Sequence, residues 1–572
     1  MKFTDRDISI IKGISQVAGA FTIIIALLMI FSLVQLKTIN PLDNPALLSI
    51  KEQYDKNPEN ANLAEQVRAM DLMARKAYFA SRRQVETGSI LLVTGAIIFI
   101  FLQRLIAGNE KIIPEIPGIK PDQGRFQNKY RKYLIGSALV LTAGAIVVSF
   151  ILRNNLPDLN IKSDTESGIA EGKGEVKERQ RKGAKDNFKP DKSNFPSFRG
   201  EDGRGMAGGS GYPVEWNGED GTNIKWKTAI QYDGKSSPVI WGDKLFITGA
   251  EGMNCFVLCI DKNTGQVLWS TSGSGIPGEP SVLPKMDQDA GLAVSSAAVN
   301  DKAVCAVFAN GNLICLDHNG TMKWSTNLGV PNNTYGYSSS LIIYKDILVV
   351  QYDSDKKLSL IGYDIESGAI RWETLRQGYP VWSSPVIAGF GGNPQVVING
   401  NPSVSAYDPV TGTRLWSIDG MSGDVAPSAA VNSYMAFTVT DYSDLLAIEP
   451  GSVPTIAWKD NTYTPDISSP VATDDFLFLV TGYGDAVCYN AAKGDTLWTH
   501  YFGDQFYSSP MIADDMVYFL NRSGKMHIVK ATEKYELVGE SIIGESAECT
   551  PAFSDNKIYI RGRNNLYCIS KN

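Results

Sequence analysis

Histidine is almost absent from this chain, whose 572 residues contain only His318, His500 and His527. These three are far apart in sequence and predict neither a Ser-His-Asp set nor a metal-ligand cluster. No Cys-x-x-Cys-His motif occurs, which excludes covalent c-type haem, and no cysteine spacing is typical of zinc or an iron–sulfur cluster. A basic surplus is also lacking, since the net charge is −7. The composition therefore argues against nucleic acid as a partner and predicts no catalytic or metal-binding residue.

Tryptophan is missing before Trp216, whereas long apolar runs occur only before residue 154. The runs at residues 14–36, 88–105 and 133–152 each approach the roughly 20 residues that cross a bilayer. They predict an α-helical membrane region, residues 1–153, with three transmembrane helices. Lysine and arginine near the N-terminus and before the third run place those parts in the cytoplasm and the C-terminal domain in the periplasm. A multi-pass protein of the bacterial inner membrane is expected.

The loop at residues 37–86 contains apolar residues at helical spacing. Two interpretations stay open: a helix at the membrane surface or on a partner subunit, or a helix that continues into the second span. Residues 154–194 are rich in charged residues and glycine and predict a flexible linker. Residues 195–222 are expected to be a lead-in segment that lies across the following domain.

A repeat dominates the rest of the chain. The stretch CIDKNTGQVLWS, which contains Trp269, returns around Trp372, Trp416 and Trp498, with looser copies ending at Trp324 and Trp458. In the four close copies an Asp or Asn stands eight positions before the Trp, and a Gly stands four before it. Asp and Asn bond to nearby backbone at turns, and Gly supplies a positive φ. The unit predicts a strand, a tight turn and a second strand, with the Trp packing between blades.

A second marker, Ser-Ser-Pro or a degenerate version of it, recurs at positions 236, 295, 338, 383, 427, 468, 508 and 549. This period is typical of propeller blades, and each unit offers four strand-like runs. The last unit lacks its fourth strand, while NIKWKTAI, with Trp226, precedes the first marker. The sequence thus predicts an all-β eight-bladed propeller over residues 223–572, with its last blade closed by the N-terminal strand.

These Asp-x-x-x-Gly-x-x-x-Trp units resemble the pyrroloquinoline quinone (PQQ)-like β-propeller repeats. One branch of that superfamily comprises quinoprotein dehydrogenases, which oxidise alcohols or sugars with PQQ and calcium. The other branch is non-catalytic and is similar to the propeller lipoprotein of outer-membrane barrel assembly. The adjacent cysteine pair of the alcohol-oxidising enzymes does not occur here, but glucose dehydrogenases of this type lack it too.

The loops that lead into the markers are expected to surround the mouth of the propeller, and the long insertion at residues 273–294 could act as a lid. A tryptophan, several carboxylates and a lysine could hold a quinone and calcium, and they equally suit peptide binding. The candidate cofactor-binding residues are Lys235, Tyr337, Trp382, Asp424, Asp466, Tyr507 and Glu548, with Tyr232 beside them.

Seven cysteines lie in the propeller region. Cys305 and Cys315 flank the Asn310-Gly311 turn, and that turn predicts Ala306 rather than Cys305 opposite Cys315. Most cysteines are therefore expected to be small buried apolar residues.

Taken together, the sequence predicts a membrane-anchored periplasmic propeller that serves as a protein-binding or assembly module. It would be a subunit of an inner-membrane complex, with an envelope protein as partner and no cofactor. The alternative is a PQQ-dependent membrane oxidoreductase that passes electrons from a periplasmic alcohol or sugar to quinone.

Overall fold

A computed structural model describes residues 5–38, 49, 95, 99, 101, 102, 186, 188–287 and 290–571. The chain divides into two compact units, Met1–Gly174 and Glu175–Asn572. The first contains the helix α1 (Asp5–Thr38). The second contains all 33 strands of the described residues and two short 3-10 helices, Glu201–Gly203 and Phe390–Gly392.

The predicted localisation, a multi-pass protein of the inner membrane, is wrong. Within the described ranges no helix, α1 included, combines the length and the apolar character needed to cross a membrane. Polar side chains lie along α1: Ser15 is fully buried, and Thr22 Oγ1 donates to the Ala18 carbonyl at 2.7 Å. The three-helix anchor is therefore not supported. The segments 37–86 and 88–105, apart from isolated residues, and 133–152 lie outside the described residues.

The second unit is the predicted eight-bladed propeller, with four-stranded antiparallel blades whose first strands contact those of neighbouring blades. Blades 1 to 4 contain β3–β6 (Val239–Trp241, Lys244–Glu251, Asn254–Asp261, Val267–Ser272), β7–β10 (Ala298–Val299, Val304–Val307, Asn312–Leu316, Met322–Asn327), β11–β14 (Ile342–Tyr344, Ile347–Ser354, Lys357–Asp364, Ile370–Arg376) and β15–β18 (Val386–Ala388, Gln395–Ile398, Ser403–Tyr407, Arg414–Asp419). Blades 5 to 7 contain β19–β22 (Ala430–Val431, Ala436–Thr440, Ser443–Glu449, Thr455–Asp460), β23–β26 (Val471–Ala472, Phe476–Val480, Asp485–Asn490, Thr496–Tyr501) and β27–β30 (Met511–Ala513, Met516–Leu520, Lys525–Lys530, Leu537–Ile542).

Blade 8 closes the ring as the sequence predicted. It contains β31–β33 (Ala552–Ser554, Lys557–Arg561, Asn565–Ile569), and its outermost strand is β2 (Ile224–Ala229). Strand β2 runs antiparallel to β33, with Trp226 opposite Cys568. A second N-terminal strand, β1 (Met206–Ala207), adds in parallel to the inner edge of blade 7. The N-terminal side thus supplies the fourth strand of blade 8 and a fifth strand to blade 7.

The markers form a closed ring of hydrogen bonds around the axis. In each blade one serine or threonine of the marker accepts a bond from the backbone N–H of its counterpart in the preceding blade, and Thr550 N–H returns to Ser237 Oγ. The eight bonds measure 2.8–3.0 Å. The serine ring consists of Ser237, Ser296, Ser340, Ser384, Ser428, Ser469, Ser509 and Thr550. In blade 3 it uses Ser340, so the marker there begins at Ser339 rather than at position 338.

The tryptophan repeat joins neighbouring blades at most junctions. Asp408 Oδ1 accepts the backbone N–H groups of Val410 and Thr411 at 2.8 Å each, which forms the turn between β17 and β18. Gly412 in that turn has a φ of +71°, and a Cβ there would lie 2.4 Å from the ring of Trp372 in the preceding blade. The indole of Trp372 also donates to the Pro409 carbonyl at 3.2 Å. The same indole-to-turn bond, at 2.9–3.2 Å, is made by Trp226, Trp269, Trp324, Trp458 and Trp498.

The core lies between blades rather than in one central cluster. The middle strands are buried on both faces, as in β24, whose Leu477, Phe478, Leu479 and Val480 are fully enclosed. Such strands read as continuous apolar runs, while the outer strands bury little besides their Trp. Side chains of neighbouring sheets interdigitate, for example those of blades 1 and 2. Each blade therefore depends on its neighbours for its core.

The prediction for Cys305 and Cys315 is wrong. Strands β8 and β9 pair with Cys305 directly opposite Cys315 and Ala306 opposite Ile314. The Asn310-Gly311 connection is longer than a two-residue hairpin, because β8 ends at Val307 and β9 begins at Asn312. The two cysteines form a disulfide. The other five are buried free thiols, as expected.

Replacing Ser428 by Ala should destabilise the propeller by about 1–3 kcal/mol, because the buried N–H of Ser384 loses its acceptor at 2.8 Å. Urea unfolding of the full chain would measure the change. Ser281→Ala, at an exposed position, is the control and should leave the unfolding free energy unchanged. Equal stability of the two variants would show that the serine ring does not hold the blades together.

Replacing Gly412 by Ala should cost more than replacing Gly242 by Ala. Both glycines have a positive φ, +71° and +58°, which costs an alanine roughly 1–2 kcal/mol. A Cβ at Gly242 meets nothing within 4 Å, whereas one at Gly412 meets Trp372. Overpacking should add about 1–3 kcal/mol at Gly412 alone. Thermal unfolding would measure both, and indistinguishable midpoints would contradict the contact between turn and tryptophan.

Candidate functional site at the mouth of the propeller

The mouth is the end of the axis at which the serine ring lies. Each first strand runs away from the ring, so the turn between the second and third strands of a blade returns to the mouth. The turns between the first and second strands, and those that carry the Asp-x-x-x-Gly sequence, lie at the opposite end. This geometry decides which side chains can meet at the mouth.

Three predicted residues come together at the mouth, where blades 7, 8 and 1 adjoin. Lys235 Nζ lies 2.9 Å from Glu548 Oε2, and Arg522 Nε donates to Glu548 Oε1 at 3.1 Å. The Arg522 guanidinium lies over the ring of Tyr507, 4.1 Å from its centroid, and donates to Gln505 Oε1 at 2.9 Å. These four residues, Lys235, Tyr507, Arg522 and Glu548, are called the mouth cluster below. All four are partly exposed.

The carboxylate of Glu548 holds two cations. Burial opposes its ionisation, but the hydrogen bonds and charges of Lys235 and Arg522 outweigh this and keep the pKa of Glu548 below its ordinary value. Sequence reasoning missed Arg522. It lies in the turn between β28 and β29, next to the Ser523-Gly524 turn signal, and the rule that such turns reach the mouth would have found it.

Tyr337 packs between blades 2 and 3, and Trp382 lies in the loop before blade 4. Trp382 is 8% exposed, and Tyr335 packs against it in a T-shaped arrangement at 4.8 Å between centroids. Tyr337 is buried against Tyr352 because the marker of blade 3 begins one residue later than predicted, so Ser338 takes the position that Lys235 has in blade 1. These two side chains therefore belong mainly to the packing.

A buried ion pair beside them was not predicted. Arg376 Nη1 donates to Asp353 Oδ1 at 2.7 Å, and both side chains are almost fully enclosed. Asp353 Oδ2 also accepts from the Val381 N–H at 3.1 Å. Burial raises the pKa of Asp353 despite the neighbouring Arg376. Neither residue stands in a marker loop, and the sequence gives no signal that pairs them.

The other predicted mouth residues stand apart from the mouth cluster. Asp424 is half-buried before blade 5, and its carbonyl accepts from Thr440 Oγ1 at 2.8 Å. Asp466 lies against Gly482, where a Cβ would fall 2.5 Å from its Oδ1. Tyr232 stacks on Phe256 at 4.1 Å between centroids. In the described part of the chain, no three His, Cys, Asp or Glu residues are grouped as metal ligands.

The long insertion at residues 273–294 lies over blade 2. Glu279 Oε1 accepts from Asn310 Nδ2 at 2.8 Å, and the Asp287 N–H donates to the Thr334 carbonyl at 3.0 Å. The insertion thus runs from blade 1 to the loop before blade 3. Its Val282 and Leu283 are 69% and 54% exposed.

The opposite end of the axis is covered by the segment that precedes β1, residues 192–205. Phe195 exchanges two backbone bonds with Ile240 of blade 1, both 2.8 Å, and Pro196 accepts from Val299 N–H of blade 2. The Gly205 carbonyl accepts from Ile512 N–H of blade 7, and the Lys192 carbonyl accepts from Asp555 N–H in the turn between β31 and β32 of blade 8. Residues 192–205 therefore cover the end opposite to the mouth.

A family profile described as outer membrane protein assembly factor BamB matches residues 198–334, 287–379 and 400–572. None of the curated proteins matches the chain. Solved structures that resemble it include BamB from Moraxella catarrhalis, at 16% identity over 61% of this chain and 97% of that one, with a TM-score of 0.47. Quinohemoprotein alcohol dehydrogenase from Comamonas testosteroni has 11% identity over 66% and 81%, with a TM-score of 0.51. The designed protein Ika8 has 13% identity over 60% and 98%, with a TM-score of 0.46. At these identities the comparisons with solved structures show similarity of fold alone.

Exchanging Glu548 for Gln should destabilise the protein at pH 7, and the difference from the unaltered chain should vanish in acid. A carboxyl whose folded pKa is lowered stabilises the fold above its unfolded pKa, about 4.3, and loses this effect as the pH falls through the lower folded value. Chemical unfolding between pH 3 and 7 would measure it.

Glu366→Gln is the matched control, because Glu366 pairs with Lys323 at 2.6 Å but is half exposed. Such surface pairs contribute about 0–1 kcal/mol. A pH-independent effect of Glu548→Gln would contradict the ionic role of the mouth cluster.

Proposed function

Because the chain belongs to the family described as outer membrane protein assembly factor BamB, we propose that its propeller is a protein-binding module of the bacterial envelope. The family match covers most of the propeller. The family is described by outer membrane protein assembly, which favours binding over oxidation as the function of this chain. The fold shared with a quinohemoprotein alcohol dehydrogenase is common to both functions and does not by itself favour either.

The main support for the proposal is a difference between the two ends of the propeller axis. One end is covered by the chain's own residues 192–205, which bond to the first strands of blades 1, 2 and 7 and to Asp555 in the first turn of blade 8. The other end presents the mouth cluster, in which a cation, a carboxylate and an aromatic ring are held in place by one another. Arginine and tyrosine in such fixed arrangements are the residues that most often anchor protein partners.

Two exposed apolar or aromatic side chains lie in the loops before other blades. Ile467 is 37% exposed and occupies in blade 6 the position that Lys235 has in blade 1, directly before the marker. Tyr379, in the loop before blade 4, is 64% exposed. Together with the mouth cluster they form a rim of mixed aromatic, apolar and charged character. Such a composition suits the side chains of an extended peptide segment better than a single small molecule.

A photo-crosslinking amino acid at Ile467 should couple the full-length protein in its native envelope to one reproducible partner. The same amino acid at Val410 should not, because Val410 is comparably exposed, at 51%, but lies in a turn at the opposite end. Arg522→Ala should weaken coupling at Ile467 without unfolding the propeller. Gel shift and mass spectrometry would identify the product.

Coupling of the same protein at both positions, or at Val410 alone, would contradict a partner at the mouth. The extract of the purified protein should be examined at the same time. Near-stoichiometric PQQ in that extract would contradict the proposed binding module and support the alternative, a PQQ-dependent oxidoreductase.

A further inference from the structure

A cavity of about 400 Å³ lies at the outer edge of blade 7, between the lead-in segment and strands β29 and β30. This volume is within the range that is typical of small-molecule sites. The cavity is called the edge pocket below, and its lining includes Glu215, Trp216, Asp220, Lys525, Glu540 and Ser541. It shares no residue with the mouth cluster and is therefore a separate candidate site.

Hydrogen bonds fix the walls of the edge pocket. The Trp216 backbone N–H donates to Ser541 Oγ at 2.9 Å, and the Gly218 N–H donates to the Ile542 carbonyl at 2.8 Å. The turn that follows is closed by Asp220, whose Oδ1 accepts a backbone N–H at 2.9 Å. The lead-in loop is thus attached to β30 and bonded within itself. The edge pocket is therefore formed before a ligand enters, which lowers the entropic cost of binding.

The indole of Trp216 has an unused donor. Its side chain is 2% exposed, and in the part of the chain that the structure describes its Nε1–H has no acceptor. The tryptophans of the repeat differ, since each donates to a protein oxygen, as Trp226 does to the Lys262 carbonyl at 3.0 Å. A buried donor requires an acceptor. One water could accept this bond, but a water needs only about 10–15 Å³, so the edge pocket has room for a larger occupant.

The lining carries three carboxylates and one ammonium group. Lys525 Nζ lies 3.0 Å from Glu540 Oε1, so these two charges compensate each other. Glu215 and Asp220 remain, and no cation of the described residues pairs with either of them. The edge pocket thus has a surplus of two negative charges, which favours a positively charged ligand.

We propose that the edge pocket binds a small amino sugar in its protonated form. The ammonium group would complement Glu215 and Asp220, and a hydroxyl oxygen would accept from Trp216 Nε1–H while its own hydrogen is donated to a carboxylate. A metal cation could not accept the indole hydrogen, and an anion would face the carboxylates. A neutral sugar would leave the negative charges uncompensated. The inference does not depend on partner binding at the mouth.

Titration calorimetry of the full-length protein with D-glucosamine, at a pH at which its amino group is protonated, should give a saturable binding curve. N-acetyl-D-glucosamine and D-glucose lack the positive charge and should bind at least about tenfold more weakly. A crystal structure with D-glucosamine should show the sugar in the edge pocket, with an oxygen within hydrogen-bond distance of Trp216 Nε1.

Glu215→Gln should weaken the affinity for D-glucosamine roughly fivefold, because an exposed carboxylate loses its charge. Glu219→Gln is the matched control. Glu219 is exposed in the same loop but does not line the edge pocket, so its loss should leave the affinity nearly unchanged. Trp216→Phe keeps an aromatic ring but removes the N–H, and it should weaken the affinity roughly three- to tenfold.

Absence of saturable binding would overturn the proposal, as would equal affinities for D-glucosamine and its N-acetyl derivative. Equal effects of Glu215→Gln and Glu219→Gln would show that the sugar binds elsewhere or through the overall charge alone, and this would also overturn it. If Trp216→Phe does not fold, the two exposed glutamate variants and the crystal structure decide.

Discussion

Closure of the ring is the constraint on which this propeller depends. Eight hydrogen bonds of 2.8–3.0 Å run from blade to blade, and the last returns from Thr550 to Ser237. A marker residue must offer a backbone N–H to one neighbour and a hydroxyl to the other, which serine and threonine do at least volume. The Ser-Ser-Pro sequence is therefore a structural requirement of the axis. It places small polar groups where eight strands converge and where larger side chains would not fit.

The tryptophan repeat also links neighbouring blades, at the periphery of the propeller. Each turn glycine must be a glycine for two reasons, a positive φ and the indole that packs against it, and the turn carbonyl receives the indole N–H. Trp416 is an exception. It donates instead to Gln395 Oε1 within its own blade, at 2.7 Å, and the corresponding connection of the next blade, between Glu449 and Thr455, contains neither the Asp nor the Gly at the positions of the repeat.

The fold could be predicted from the sequence because its determinants are local and repeated. A turn residue, a glycine and a tryptophan at fixed spacing recur often enough to define blades, and the unpaired Trp226 strand revealed the closure. The mouth was predicted only in part. Lys235, Tyr507 and Glu548 stand in marker loops and were found. Arg522 comes from a turn between two strands, and Asp353 and Arg376 come from the ends of strands β12 and β14, so these residues meet only in three dimensions. The predicted register of Cys305 and Cys315 was wrong because one extra residue in the loop changes which residues of the two strands lie opposite each other.

Ring closure also determines when this protein can become stable during its synthesis. The bond between Ser237 and Thr550 joins residues 313 positions apart. Strand β2 pairs with β33, which lies still further along the chain. Until then blade 1 lacks its neighbour on one side, and the faces that later form the core are exposed. Contacts of such sequence separation slow folding and leave apolar edges open to aggregation. A chaperone that shields the nascent blades would thus be of most use to the earliest blades, which remain unpaired for the longest time.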